Sequence, residues 1–155
     1  MKKSAGLLVY RHKGGAVEVF LAHPGGPLWA KKDLGAWSIP KGEPGDDDAD
    51  DLACARREFA EEIGQSVEGD FIPLTPIQQK GHKTVYAWAV EGAIDADKVV
   101  SNSFDMIWPP RSGRVQSFLE VDRGAWFGLE EAKAKINPAQ AALIEELEAM
   151  LNSRR

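Results

Sequence analysis

The sequence predicts an α/β chain that forms one domain over residues 1–155, long enough to bury a sizeable core. Three features carry this prediction. Two apolar runs of strand length open the chain. Residues 36–65 then pass from a short strand through an acidic loop into an amphipathic helix, and a further amphipathic helix closes the chain. Hydrophobic content of 43% and charged content of 28% are ordinary for a soluble globular protein.

Ser4 to Arg11 is the first strand, His12-Lys13-Gly14-Gly15 a hairpin turn, and Val17 to Ala22 the returning strand. Residues 23–35 form a long loop rich in Pro and Gly, of a length that is often functional. Its Trp29, Lys31 and Lys32 have two open readings: contacts to a substrate's base or distal phosphates, or a cover over one end of the core with solvated lysines. His23 reads as a surface or capping histidine, because no second His sits at metal spacing.

Ala36 to Ile39 is a short apolar strand. The next helix starts near Asp50 or Asp51, which suit an N-cap, and stops at Gly64, which suits the left-handed residue that ends a helix. Leu52, Ala55, Phe59 and Ile63 recur at three- and four-residue steps, so one stripe faces a core. Cys54 is the lone cysteine and sits among small residues here. It reads as a buried structural thiol, and no internal disulfide can form.

Residues 66–74 hold a short strand leading to Pro76. Lys83 to Glu91 is a strand apolar on both faces, hence central, with its aromatics in the core. His82 and Lys83 at its start are weak candidates for phosphate contact. Residues 92–102 are irregular, and Ser103 to Trp108 is a strand ended by Pro109-Pro110. Arg111 and Arg114 flank Ser112-Gly113 in a loop. They suit a polyphosphate chain, since guanidinium binds phosphate bidentately, or else form a solvated basic loop. Gly124 to Leu129 is a last short strand, and Glu130 to Lys135 a turn or two of helix. Asn137 as N-cap and Pro138 at the first helical position open the C-terminal helix. Ala141, Leu143, Ile144, Leu147 and Leu151 give it a core-facing stripe, and Ser153-Arg154-Arg155 reads as a frayed tail.

A net charge of −5 and a pI near 5.2 predict no broad basic surface for duplex nucleic acid. No apolar run approaches membrane-spanning length, and Met-Lys-Lys-Ser leads into a strand, not a signal segment. A small-molecule partner, no membrane and a cytoplasmic location are the expectations. Monomer and homodimer are both open.

Beside the apolar stripe of the helix lies a charged one. Glu58, Glu61 and Glu62 are spaced i, i+3, i+4 and share one face. They repel one another near a helix C-terminus, where the dipole also disfavours negative charge. Arg56 and Arg57 can offset part of this, and a hard divalent ion with oxygen ligands would offset more. The plainer alternative is a solvated acidic face with local ion pairs.

The stretch resembles the Nudix box, whose family pattern is G-x5-E-x7-R-E-U-x-E-E-x-G-U, with U a bulky apolar residue. Arg57-Glu58-Phe59-Ala60-Glu61-Glu62-Ile63-Gly64 matches the helical half without a gap, and Gly42 in Pro40-Lys41-Gly42 matches the opening glycine. Two features depart from the pattern. One extra residue lies between Gly42 and Arg57, so the first acidic position is Asp48 counted forward and Ala49 counted back; the loop's acid is Asp46, Asp47 or Asp48. The final apolar position is Gln65.

The resemblance implies an α/β/α sandwich, with a mixed sheet between the box helix and the C-terminal helix. It implies a Mg²⁺- or Mn²⁺-dependent hydrolase of nucleoside diphosphates linked to another group. Glu58, Glu61 and Glu62, aided by the loop backbone near Gly42, would hold the metal. Arg57 would orient the glutamates, and Lys41 would meet a phosphate oxygen. Glu120, shortly before the Trp126 strand and with Asp122 in reserve, would touch metal or water; one of the box glutamates or Glu120 would be the general base. Pro-Lys-Gly opening the box after a Trp-containing strand looks like the diadenosine polyphosphate hydrolases of the family, and the Trp-Ser-Ile-Pro-Lys-Gly-Glu and Trp-Pro-Pro-Arg-Ser-Gly segments look more specifically like a bacterial branch of small nucleoside-triphosphate pyrophosphohydrolases. Dinucleoside polyphosphate cleavage is favoured. The alternatives are hydrolysis of damaged nucleoside triphosphates, removal of pyrophosphate from RNA 5′ ends, which the acidic pI disfavours, and a non-catalytic nucleotide-binding module with a degenerate box.

Overall fold

A computed structural model describes residues 2–154. The chain runs β1 (Lys2–Lys13), β2 (Ala16–Pro24), β3 (Lys41–Gly42), α1 (Asp51–Ile63), β4 (Ile72–Pro73), β5 (Ile77–Gln79), β6 (Lys83–Glu91), β7 (Ser103–Ile107), β8 (Val115–Leu119), β9 (Val121–Gly128), α2 (Leu129–Lys135) and α3 (Ala141–Ser153). Of the predicted tail, Arg155 lies outside the described residues.

The strand sequences alternate with a period of two, and that alternation sorts the core into two layers. Leu8 and Tyr10 of β1, Val19 and Leu21 of β2, and Val85, Ala87 and Ala89 of β6 join Leu143, Ile144 and Leu147 of α3 on one side. Leu7 and Val9, Phe20 and Ala22, and Val90 join Cys54, Ala55, Phe59 and Ile63 of α1 on the other. Between them stands a seven-stranded mixed sheet in the order β4-β6-β1-β2-β9, with β3 on β1 and β5 on β6. β1 and β6 are parallel, and the remaining pairs are antiparallel. This is the predicted α/β/α arrangement, with β6 flanked on both sides. Among the described residues no helix is long and apolar enough to cross a membrane.

The ends of α1 follow from the sequence. Asp50 is extended, and its carboxylate accepts from the Ala53 N–H at 2.8 Å. Gly64, at φ 76°, returns its N–H to the Ala60 carbonyl. Phe59 and Ile63 are fully buried, each contributing about 1.5–3 kcal/mol through burial.

Several expectations need correction. Ala36 to Ile39 is not a ladder strand: it makes two isolated bridges, Ala22 with Ser38 and Trp37 with Ile136. Its backbone is divided between partners, Ser38 with β2 and Trp37 with the end of α2, and Pro40 has no N–H to continue a ladder. Residues 115–119, to which the sequence reading assigned no element, form β8, which pairs with β7 in a two-stranded arm separate from the main sheet. The last strand begins at Val121, three residues earlier than expected. Asn137 caps a short 3-10 turn, its side chain accepting from the Ala139 N–H, before α3 begins at Ala141.

Candidate active site

Arg57 organises the loop before α1. Its Nε and Nη2 donate to the two carboxylate oxygens of Asp48, each at 2.9 Å, while Nη2 also reaches the Glu43 carbonyl at 3.2 Å. Nη1 donates to Glu58 at 2.9 Å and to both oxygens of Glu61 at 3.1 Å. Of the three loop acids, Asp48 is the one that meets Arg57. The two-pronged Arg57 contact, with the Gly45 N–H added, lowers the Asp48 carboxyl to about 2. Asp46 and Asp47 are exposed. Arg57 touches the glutamates, as expected of a residue that orients them.

Gly42, in the two-residue β3, lies against this group. A Cβ there would sit 2.0 Å and 2.6 Å from the two Glu58 carboxylate oxygens. The position is a cradle for a carboxylate that only glycine leaves open. Burial raises the Glu58 carboxyl above its ordinary value despite Arg57 beside it.

Glu62 turns away from Arg57 into a cleft of about 250 Å³ whose walls include Trp29, Lys41 and Glu120. Burial pushes its carboxyl up to about 8, and the neighbouring charges of Glu58 and Glu120 add to the effect, while Lys41 opposes it. Lys41 is lowered by its own burial and by nearby Lys83. The Glu120 backbone is pinned from both sides: its carbonyl accepts from Gly25 and its N–H donates to Asn102, both at 2.9 Å. Its side chain is left exposed beside the cleft. Trp29 keeps 38% of its surface exposed, so it is not buried as a cover over the core.

The lining of the cleft also holds polar groups that the sequence did not single out. Gln140 is fully buried; it accepts from the Ile39 N–H at 3.0 Å and donates to Ser38 at 3.0 Å and to Gln79 at 3.2 Å. Ser38, Gln79, Asn137 and Gln140 line the cleft together. The available signal was position: Gln140 falls in register with Leu143, Ile144 and Leu147 on the stripe of a core-facing helix, where a polar residue stands out.

Other predicted residues lie elsewhere. Arg111 and Arg114 are exposed at the turn of the β7–β8 arm and are not among the residues lining the cleft. His23 is not a surface residue but fully buried: its Nδ1 lies 2.9 Å from Asp122 and its Nε2 2.6 Å from the Lys32 carbonyl. Asp122 is thus tied to the 23–35 loop. Gln65 replaces an apolar residue without cost because its amide is used in full. It donates to Asp95 and Lys98 carbonyls at 2.9 and 3.2 Å and accepts from the Asp95 N–H at 3.0 Å.

Glu58, Glu62 and Glu120 are hard oxygen donors whose mutual repulsion a divalent cation would relieve, and the open backbone at Gly42 gives Glu58 room to approach one. The donor chemistry therefore fits Mg²⁺ or Mn²⁺. Among the described residues, no three His, Cys, Asp or Glu side chains already converge as a metal cage, in keeping with the hold of Arg57 on Glu58 and Glu61.

The profile of the NUDIX domain family matches residues 1–147. A solved C. elegans Ap4A hydrolase, in a binary complex, superposes with a TM-score of 0.65 at 24% identity, covering 99% of each chain. The NUDIX domain of Shewanella oneidensis NrtR complexed with ADP ribose gives 0.64 at 14% identity, covering 97% of this chain and 88% of that one. A MutT structure from work on Aliivibrio salmonicida and Vibrio cholerae gives 0.57 at 15% identity, covering 96% of each chain. At such identities the structural likeness concerns the fold. No curated protein sequence matches the chain.

Proposed function

The chain belongs to the NUDIX domain family, hydrolases of pyrophosphate bonds in nucleotides, and we propose that its substrate is a dinucleoside polyphosphate such as diadenosine tetraphosphate, cleaved with Mg²⁺ or Mn²⁺. One observation carries the reading. A single cleft is lined by the charged side chains of Glu62, Glu120 and Lys41 and by the amides of Gln79 and Asn137, with the buried Gln140 behind them. The charged groups suit a phosphoanhydride, and the amides suit the hydrogen-bonding edge of a base.

Glu58, Glu61 and Glu62 would hold the metal, with the backbone at Gly42 lying alongside. The bound metal would neutralise the diphosphate and acidify a water for attack on phosphorus. Lys41, which lines the cleft, contacts a phosphate oxygen. Arg57 keeps Glu58 and Glu61 oriented. Glu62 or Glu120 takes the proton from the attacking water; a carboxyl held at about 8 is a strong base once ionised. Arg111 and Arg114, on the exposed arm, reach only the far end of a long substrate.

Incubation with Mg²⁺ and diadenosine tetraphosphate, with separation of the nucleotides, tests this directly. ATP plus AMP is the expected product pair. Turnover of damaged nucleoside triphosphates with none of the dinucleotide would replace the substrate assignment. Unchanged turnover in Glu61→Gln would overturn the metal-site assignment.

A further inference from the structure

Beside the catalytic cleft stands a second cavity that shares Trp29 with it. Gly26, Pro27, Leu28 and Trp29 of the long loop form one wall, and Phe104 and Met106 of the β7–β8 arm form the other. Its volume is about 180 Å³. That is below the roughly 300–1,000 Å³ of sites for drug-sized ligands, and suits one planar ring system rather than a whole nucleotide. No charged side chain lines it, so it offers a phosphate nothing.

The slot is held together by close backbone approach. A Cβ at Gly25 would lie 1.8 Å from the Leu119 carbonyl oxygen, and one at Gly26 3.0 Å from the Phe104 ring. The Gly25 N–H donates to the Glu120 carbonyl at 2.9 Å. The loop and the arm are thereby fixed beside the residue that reaches into the catalytic cleft. Leu28 and Trp29, 60% and 38% exposed, leave the mouth open.

We propose that this slot is a second base subsite: it takes the far nucleobase of a dinucleoside polyphosphate by its two faces, while the near base is read by its edge against Gln79 and Asn137, with Gln140 holding Gln79 in place. The proposal rests on the substrate reading above and identifies how the far end of that substrate is held. Continuity with the catalytic cleft through Trp29, and room for a single ring system, mark the occupant as part of the substrate and not a protein segment. A site that grips faces discriminates little among bases, because every base has a stacking face. The near base is therefore the one whose identity matters.

The test compares diadenosine tetraphosphate with adenosine 5′-tetraphosphate, which has the phosphates but one base. Equilibrium binding is measured with EDTA present, so that nothing is hydrolysed, and turnover is measured separately with Mg²⁺. The two-base ligand should bind about 5- to 100-fold tighter. Met106→Glu, which puts a charge in the slot, should abolish that advantage and leave the one-base ligand unchanged. Phe104→Ala should do the same, guarding against a single variant that fails to fold. Equal binding of both ligands to the native protein, or an advantage that survives in both variants, would overturn the slot. Loss of both ligands in parallel would also overturn it, reducing the arm to a structural element. If binding shows the two-base advantage but Mg²⁺ yields no turnover, the slot stands and the hydrolytic substrate assignment falls.

Discussion

Glu62 offers a quantitative test of the charge balance in the cleft. A glutamate ordinarily ionises near 4.5, whereas Glu62 keeps its proton up to about 8, chiefly because it is buried. Between those values the folded chain binds a proton that the unfolded chain has released. Stability is therefore fully present below about 4.5 and is lost as pH rises through about 8. At about 1.36 kcal/mol per unit, the loss between pH 5 and pH 8 is roughly 3–4 kcal/mol from this group. Burial of Glu58 adds a loss of the same sign.

Glu62→Gln removes the titrating proton and keeps the shape. Urea unfolding at pH 5 and pH 8, without divalent metal, should show the variant gaining on the native protein by roughly 3–4 kcal/mol over that interval. Added Mg²⁺ should raise the native midpoint more at pH 8 than at pH 5, since metal and proton compete for one carboxyl. In Glu62→Gln that extra gain should shrink. A difference between the two proteins that is the same at both pH values would refute the buried, charge-frustrated assignment of Glu62.

Gly42→Ala should cut kcat by about tenfold or more, because the added Cβ overlaps the Glu58 carboxylate; thermal melting should show little change, since a flexible side-chain end is what must yield. Asp48→Asn should lower kcat about 10- to 100-fold by loosening Arg57 from the loop, as loss of a supporting ligand contact typically does, while Asp46→Asn and Asp47→Asn leave kcat unchanged; steady-state rates of the three variants decide it. Gln140→Leu should cost about 1–3 kcal/mol in urea unfolding, because the Ile39 N–H loses its buried acceptor, and should raise KM for a substrate read at its base.

What was legible in the sequence was what rests on short-range periodicity. The stripe of Leu52, Ala55, Phe59 and Ile63, the Asp50 cap and the Gly64 stop set α1 within a residue. The two-faced pattern of Lys83 to Glu91 marked β6 as interior. Less legible was whatever depends on which distant groups meet. His23 looked peripheral because its partners, Asp122 and the Lys32 carbonyl, lie in a late strand and the long loop. The β7–β8 arm was half missed because Val115 to Leu119 is mostly exposed, so burial never imposed alternation on its sequence. The acid of the loop could not be chosen by counting, since an ion pair tolerates one extra residue wherever the backbone has slack.

The carboxylates of the box helix make sense as a divided set. Arg57 answers Glu61, part of Glu58 and Asp48, and so draws negative charge toward the loop. Glu62, on the other side, meets the charge and the backbone N–H of Lys41 against its own burial and the repulsion of Glu58 and Glu120. A helix selected for stability alone would have placed a neutral residue there, because an ionised buried carboxyl weakens the fold. A divalent cation entering with a polyphosphate would offset the cost, since each supplies the charge the other lacks. The same imbalance that weakens the fold at high pH is thus one that a metal-bound pyrophosphate would relieve.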